Sequence, residues 1–298
     1  MLNVVAETQV RVKLEQLHRL DCSDRPLVIL SGRDSQDLLQ RISTNDMSRL
    51  RQDRPVQTVF TNEKGRIVDV VLVLQLEKER LLLIGQNDGV RLREWIEKFI
   101  IMEDTKSDLI RPAGHWLLWG TMMEELLRVQ PKPDILLAVE EWPSGTVAHL
   151  ISFDAKLSDS EFEHQMSFRD TADYFDAFRI DHAIPWFGNE ISDDTNPLET
   201  GLTHLVSFTK GCYVGQEVIA RLDTYKKVRR KLVRYALKER PSMVPMPVYH
   251  RKEEVGTITT ISKNRQSSGL GFLRTMLDDS PELHFEEGGQ LHSVSLDG

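Results

Sequence analysis

The chain alternates short apolar runs with polar turns, and its first half combines strand-like with helix-like spacing. The predicted strands occupy residues 26–30, 56–60, 67–76 and 81–84. After the first of them, Asp34 or Ser35 can cap a helix whose apolar positions lie three and four apart. After the last, Asp88 can cap an amphipathic helix that contains Trp95. Trp95 therefore reads as a core residue and not as a ligand-stacking one.

A second block has a similar order of elements, although no internal sequence repeat is visible. It predicts strands at residues 115–119, 135–139 and 146–153 and a helix at 122–129. Asp170 or Thr171 can cap a further helix, which must end before Pro185 because proline disfavours a helical residue before it. Residues 229–298 read as short strands with polar turns, which is typical of a small β-barrel.

These patterns predict an α+β fold with two ferredoxin-like units and a C-terminal β-barrel. The two units are expected within residues 1–228, and the barrel within residues 229–298.

Composition and charge exclude some classes of function. The chain has 298 residues, a formal net charge of −8 and 40% hydrophobic residues, which is ordinary for a globular protein of two or three domains. The negative charge argues against general nucleic-acid binding. Apolar runs such as 70–74 are too short to span a membrane, and the first residues do not resemble a signal peptide. Cys22 and Cys212 offer no metal-binding spacing, so we expect a reduced, cytoplasmic protein without a stable metal, although a disulfide stays open.

Cys212 lies in the most informative stretch. It stands between Gly211 and Gly215, with Lys210 before it, and a short helix is predicted from about Val214. Cys212 would then lie at or just before a helix N-terminus, and this position beside a lysine favours the thiolate form. Gly211 is expected to turn the chain sharply or to adopt a positive φ. The alternative is a buried, inert cysteine at a tight turn, and the residues alone leave both readings open.

Residues 210–217 read K-G-C-Y-V-G-Q-E, and Arg221 follows. This stretch resembles the signature of the YgfZ-type folate-binding proteins, relatives of the glycine-cleavage T-protein (aminomethyltransferase) that include iron–sulfur assembly factors. The resemblance implies a T-protein-like fold in which the two α+β units are interleaved in the chain around a central cleft. It also implies tetrahydrofolate or a one-carbon derivative as cofactor. It further implies functional roles for Cys212 and Lys210 and a place beside folate for Tyr213, Gln216 and Glu217.

Two further segments carry the same resemblance. Residues 179–185 are similar to the family segment R-x-E-x-G-x-P, whose glutamate holds the pterin ring of folate. Asp181 takes the place of that glutamate, one methylene shorter, and Ala183 replaces the glycine. The resemblance thus implies Arg179 and Asp181 as folate-binding residues, with a surface ion pair between them as the alternative. Residues 196–202 resemble the family's P-x-E segment, in which Glu199 is either a ligand or a structural carboxylate.

One segment differs from the corresponding segment of the T-protein. Residues 61–69 resemble the T-protein segment that ends in two adjacent aspartates, of which one assists aminomethyl transfer. Here the pair is Asp69 and Val70, and valine can neither accept a proton nor stabilise positive charge. Transferase activity is therefore in doubt, and Asp69 reads as a polar residue on the exposed face of its strand.

Six cationic residues lie between positions 225 and 234. They form either the solvated face of an edge strand or a site for an anion such as a polyglutamate tail or RNA.

Together these features predict a folate-binding accessory protein that supports iron–sulfur cluster assembly or repair, and through it RNA-modifying enzymes. Its expected partners are folate and iron–sulfur client or assembly proteins. Because a stable cluster usually takes four protein ligands, Cys212 would serve a shared or transient site. The alternatives are a tetrahydrofolate-dependent aminomethyltransferase, or another one-carbon enzyme, and an RNA-interaction module.

Overall fold

A computed structural model describes residues 17–121, 123–128, 135–154, 168–170, 172–262, 268–276 and 282–296. Contacts divide the chain into two compact units. The first comprises Met1–Pro26 and Ile110–Phe175, and the second Leu27–Leu109 and Asp176–Gly298. Each unit is therefore built from two separate stretches of chain.

The described elements follow in chain order. The strands are β1 (Leu17–Asp21), β2 (Leu27–Ser31), β3 (Val56–Thr61), β4 (Ile67–Glu77), β5 (Arg80–Gly85), β6 (Lys106–Ile110), β7 (Gly114–Gly120), β8 (Ile135–Trp142), β9 (Gly145–Ser152), β10 (Phe168–Asp170), β11 (Arg230–Leu237), β12 (Met246–His250), β13 (Glu253–Ile261), β14 (Ser268–Arg274), β15 (Leu283–Glu287) and β16 (Gln290–Leu296). The α-helices are α1 (Ser35–Ile42), α2 (Gly89–Glu97), α3 (Met123–Arg128), α4 (Ala172–Asp181) and α5 (Gln216–Thr224), and short 3-10 helices lie at Met47–Arg49 and Leu202–Leu205.

The first unit contains a five-stranded sheet in the order β10-β1-β7-β9-β8. All its pairs are antiparallel except β1 with β10, which is parallel. Within it, His115 Nε2 lies 2.9 Å from His149 Nδ1, and His149 Nε2 lies 3.7 Å from a Glu140 carboxylate oxygen. Burial, with His149 beside it, holds the pKa of His115 well below its usual value. Cys22 of this unit is a free, buried thiol whose pKa is raised by burial to about 11.

The second unit contains a five-stranded sheet in the order β3-β4-β5-β2-β6. The apolar faces of α1 and α2 pack against this sheet in one hydrophobic core. Asp88 caps α2 by accepting a hydrogen bond from the Val90 N–H at 3.0 Å. The Trp95 ring is buried and meets the Phe60 ring edge-on at 5.3 Å. The predicted cap and the predicted core position of Trp95 are both confirmed.

The second unit also contains a closed six-stranded barrel in the order β11-β14-β13-β12-β15-β16. Tyr235, Val248 and Phe285 are fully buried in its core. Gly271 permits close strand approach, since a Cβ there would lie 2.0 Å from the Thr257 carbonyl oxygen. The α+β architecture with a C-terminal barrel agrees with the sequence-based expectation. The domain division at residue 228 stays a prediction. The compact units defined by contacts divide the chain elsewhere, and the barrel and the second sheet belong to the same unit.

Among the helices of the described residues, none combines the length and the apolar character that crossing a membrane requires.

Candidate functional site

The loop at residues 206–215 carries Cys212 and leads into α5 in the second unit. The helix begins at Gln216, with Gly215 as its N-cap residue. It therefore starts about two residues later than the sequence predicted. Cys212 lies in the loop just before the helix, three residues ahead of the N-cap residue, and it is a free, exposed thiol. The alternative of a buried cysteine at a tight turn is wrong.

Gly215, and not Gly211, is the glycine that the loop requires. Gly215 has a φ of +83°, and a Cβ there would lie 2.5 Å from the Asn62 carbonyl oxygen. The hydroxyl of Thr61 also donates to the Val214 carbonyl at 2.7 Å, so the loop is fastened to the β3–β4 turn. A Cβ on Gly211 would meet no atom within 4 Å, and its φ is not positive, so the positive φ that was one expectation for Gly211 is wrong. The structure thus brings the segments 61–69 and 210–217 together.

Lys210 fastens the other end of the loop. Its ammonium donates to the carbonyl oxygens of Ser43 and Asn45, at 2.7 and 2.8 Å, and lies 5.4 Å from the centre of the Tyr213 ring. Burial lowers the pKa of Lys210 to about 8, an effect opposed by the Asp46 carboxylate. A catalytic role beside Cys212 stays a prediction. The contacts that the structure gives this ammonium hold the loop against residues 43–45.

Backbone and apolar contacts complete the anchoring. The Ser207 N–H donates to the Thr44 carbonyl at 2.9 Å, and the Thr44 hydroxyl donates to the Leu205 carbonyl at 2.8 Å. Tyr213 is buried in a small cluster with Val206, and burial raises its pKa to about 12. Cys212 is therefore presented to solvent on a short loop that is held firmly on both sides.

The remaining signature residues lie at the start of α5. Gln216 is half-buried, whereas Glu217 is exposed in the first turn. Their assignment beside folate, with that of Tyr213, stays a prediction.

Asp69 is buried and not exposed, which corrects the reading from the strand pattern. One carboxylate oxygen accepts hydrogen bonds from the backbone N–H groups of Val70, Gln86 and Asn87, at 2.8, 3.1 and 3.1 Å. The other oxygen is buried over Gly85, where a Cβ would approach it to 2.3 Å. Burial raises the pKa of Asp69 to about 7, which the three N–H donors oppose. The carboxyl group is thus enclosed in the protein and held by the β5–α2 loop.

Arg179 is also fully buried, so the proposed surface ion pair with Asp181 is wrong. Its guanidinium donates to the carboxylates of Glu190 and Asp176, at 2.8 and 2.7 Å, and to the Ile184 carbonyl at 3.1 Å. Glu190 in turn accepts from the hydroxyls of two barrel threonines, Thr259 at 2.7 Å and Thr260 at 2.5 Å. These contacts link the end of α4 to β13. Folate binding by Arg179 stays a prediction, although its described contacts are structural.

Glu190 was not singled out in the sequence, because its partners lie far along the chain. A glutamate shortly after an R-x-D segment has no local spacing that marks it as buried. A carboxylate whose partners include a buried arginine and two barrel threonines can be recognised only once the fold is known.

Asp181 and Glu199 have different surroundings. Asp181, the last residue of α4, is half-buried, and its backbone carbonyl accepts from Arg234 at 2.7 Å. The Glu199 carboxylate lies between the guanidinium groups of Arg66 and Arg230, at 3.9 and 3.5 Å. Since these arginines belong to the β3–β4 turn and to the first barrel strand, the geometry fits the structural role for Glu199. Folate binding by Asp181 stays a prediction.

Comparison with known proteins supplies the wider context. No family model matches the chain. It is 26% identical over 277 residues to an aminomethyltransferase of Listeria monocytogenes, with 84% of this chain and 75% of that protein covered. It is 27% identical over 265 residues to the aminomethyltransferase of Symbiobacterium thermophilum, covering 77% of this chain and 70% of that protein.

Among solved structures, glycine cleavage system aminomethyltransferase T from Bartonella henselae aligns with a TM-score of 0.78. The alignment covers 97% of this chain and 88% of that one, at 15% sequence identity. At this identity the likeness establishes the fold. The expected T-protein-like fold with a C-terminal barrel is confirmed.

Proposed function

Because the chain is a distant relative of the aminomethyltransferases within the glycine cleavage T-protein superfamily, we propose that it is a folate-binding accessory protein of the YgfZ type. In this proposal it supports iron–sulfur cluster assembly or repair, and Cys212 is its working thiol. RNA-modifying enzymes that depend on such clusters are among the expected beneficiaries.

The observation that carries this proposal is the exposed thiol of Cys212 on an anchored loop. Lys210 and Ser207 fasten the loop to residues 43–45, and the contact of Thr61 with Val214 fastens it to the β3–β4 turn. An exposed thiol can reach a partner protein, and a firmly held one meets it with little loss of conformational entropy. Since one cysteine supplies only one of the four ligands that a cluster usually takes, the partner must supply the others.

Tetrahydrofolate fits the chemistry of this chain at Asp181. A carboxylate accepts two adjacent N–H groups of the kind that a pterin edge presents. Asp181 is half-buried, so that its carboxylate is partly shielded from water while the neighbouring Arg179 is held by Glu190 and Asp176. When bound, tetrahydrofolate would supply a carrier for a one-carbon unit. Arg179, Glu199, Tyr213, Gln216 and Glu217 remain proposed contributors to folate binding.

Enclosure of Asp69 supports an accessory role over a transferase. One of its oxygens already accepts three backbone N–H groups, and the other is buried over Gly85. Its neighbour Val70 is also fully buried and provides no second carboxylate. A general acid or base must come within hydrogen-bond reach of the reacting atom, and in this structure Asp69 is 1% exposed with its second oxygen buried.

A transferase is nevertheless the second candidate, because a pKa of about 7 for Asp69 suits proton transfer near neutral pH. Tetrahydrofolate-dependent release of ammonia from an aminomethyl donor separates the two. We expect no turnover above that of an Asp69→Asn variant. Robust turnover that is lost in Asp69→Asn would establish the transferase and refute the accessory role.

The test of the proposal is complementation of cells that lack this protein. Wild type should restore the activity of an iron–sulfur enzyme, and Cys212→Ala should not, at equal protein level. Thr209→Ala is the matched control, since Thr209 is an exposed residue of the same loop, and it should behave as wild type. Full restoration by Cys212→Ala would overturn the assignment of Cys212.

A further inference from the structure

A groove of about 1180 Å³ runs beside α5 and is separate from Cys212, which does not line it. Five exposed cations line it, contributed by α5, by the turn that follows the helix, and by the end of β14: Arg221, Lys226, Lys227, Arg229 and Arg274. Within the described part of the chain, no ion pair engages any of the five. Glu217 is the one acidic residue among the lining residues that the structure describes. We call this feature the α5 groove; in a chain of net charge −8 it is a local concentration of positive charge.

The α5 groove also has an apolar part of its lining. Val218, Leu222 and Val228 line it and are half-buried, and Met276, which lines it as well, has 91% of its surface exposed. Apolar surface of this kind gains free energy when another apolar group covers it. The groove therefore offers two kinds of contact, with half-buried aliphatic side chains and exposed cations.

The two sides of the groove are joined by hydrogen bonds. The Thr275 hydroxyl donates to the Val228 carbonyl at 2.7 Å, and the Thr275 N–H donates to the Arg229 carbonyl at 3.0 Å. The turn after α5 is equally defined, since the N–H groups of Lys226 and Lys227 donate to the carbonyls of Asp223 and Leu222, at 3.1 and 3.0 Å. The shape of the groove is thus formed in the free protein.

Lys226 occupies a backbone position where glycine is favoured. The two hydrogen bonds of the turn form a Schellman motif, in which Lys226 is the left-handed residue with a φ of +48°. A lysine there strains the backbone where glycine would not. Glycine at this position would keep the turn and remove one cation from the groove.

We propose that the α5 groove binds an acidic, amphipathic peptide segment of a partner protein. Its aliphatic side chains would cover Val218, Leu222 and Val228, and its carboxylates would pair with the exposed cations. Charge complementarity of this kind speeds association and selects the partner. The proposal goes beyond the proposed function and requires neither folate nor Cys212.

The same features disfavour single-stranded nucleic acid as the occupant. Grooves for single strands stack successive bases on several aromatic rings. Tyr225 is the only aromatic residue among the described lining residues, and Lys227 already lies 5.3 Å from the centre of its ring.

The test measures fluorescence anisotropy of labelled ligands with the full-length protein. The probes are a peptide that combines glutamates with leucines at helical spacing, the same peptide with lysines for glutamates, oligoglutamate, and a single-stranded RNA. We expect the acidic, leucine-containing peptide to bind and to weaken as salt is raised. The affinity of this peptide should fall about tenfold or more in the double variant Arg221→Glu, Arg229→Glu. A loss of this size is what the removal of close charge pairs produces.

Two variants make the outcome decisive. Lys226→Gly removes one groove cation and relieves the backbone strain. This variant should therefore fold normally but bind the peptide more weakly than wild type does. Lys231→Glu is the matched control, because Lys231 is an exposed cation just outside the groove, and it should bind as wild type. The proposal is overturned if peptide affinity is unchanged in both groove variants, if oligoglutamate binds as well as the leucine-containing peptide, or if RNA binds more tightly than either. Folate affinity and complementation by Cys212 variants are separate readouts, so failure here leaves the proposed function standing.

Discussion

The buried Arg179–Glu190 pair gives the sharpest stability prediction. Both side chains are fully buried, and the guanidinium nitrogen lies 2.8 Å from the carboxylate oxygen. Arg179→Met retains much of the side-chain length, but it leaves the Glu190 carboxylate buried without the cation that now pairs with it. Removing one member of a buried ion pair costs about 3–5 kcal/mol, because the remaining charge is desolvated without compensation.

The structure places the expected loss at the lower end of that range. Glu190 would keep the hydroxyls of Thr259 and Thr260 and the N–H of Trp186 as donors, the last at 3.1 Å. We therefore expect a loss of about 3 kcal/mol in the free energy of unfolding. Combining Arg179→Met with Glu190→Gln should recover part of this loss, since a neutral amide removes the isolated charge.

Urea unfolding measures the effect, followed by intrinsic fluorescence of the purified full chain. Arg230→Met is the matched control: it breaks a partly exposed contact to Glu199 and should cost less than about 1 kcal/mol. A structural Arg179 should change stability far more than Arg230 does. If Arg179→Met left stability within about 1 kcal/mol of wild type but abolished folate binding, Arg179 would be a ligand and the structural account would fail.

Two further predictions concern Gly215 and Asp69. Gly215→Ala should destabilise the protein by about 2 kcal/mol or more, because the new Cβ would clash with the Asn62 carbonyl oxygen and the backbone has a φ of +83°. Gly211→Ala should change the urea midpoint little, because a Cβ there meets no atom. Equal effects of the two substitutions would refute the docking of this loop. The pKa of Asp69 is raised on folding, from 3.8 to about 7. The contribution of protonated Asp69 to the free energy of unfolding is therefore fully present below pH 3.8 and is lost as the pH rises through about 7. Asp69→Asn should therefore gain stability relative to wild type across that interval, and a pH-independent difference in unfolding free energy would contradict the enclosure of Asp69.

Local patterns predicted most of the fold. The strand pattern and the Asp88 cap depend on neighbouring residues, so the second sheet and α2 could be read directly from the chain. The barrel was also predictable, because its short alternating strands are separated by polar turns. The grouping of separate stretches into two compact units has no local signal, since it depends on contacts between residues far apart in the chain.

The site was less predictable for the same physical reason. Asp69 was assigned to an exposed face because polar residues often mark one, yet β4 is buried on both faces for most of its length. Gly211 and Gly215 look alike in sequence, and only the proximity of Asn62 shows which is needed. The carbonyl partners of Lys210 lie more than a hundred residues away, at Ser43 and Asn45, and no spacing in the chain indicates them.

Calorimetric titration of the purified protein with tetrahydrofolate tests the central claim most directly. We predict binding to wild type, equal affinity in Cys212→Ala, and weaker binding in Asp181→Ala. Asp181→Glu should bind at least as well as wild type, because it restores the longer carboxylate found in the related family segment. Absence of tetrahydrofolate binding to the wild-type protein, or binding that is insensitive to Asp181→Ala, would contradict the account.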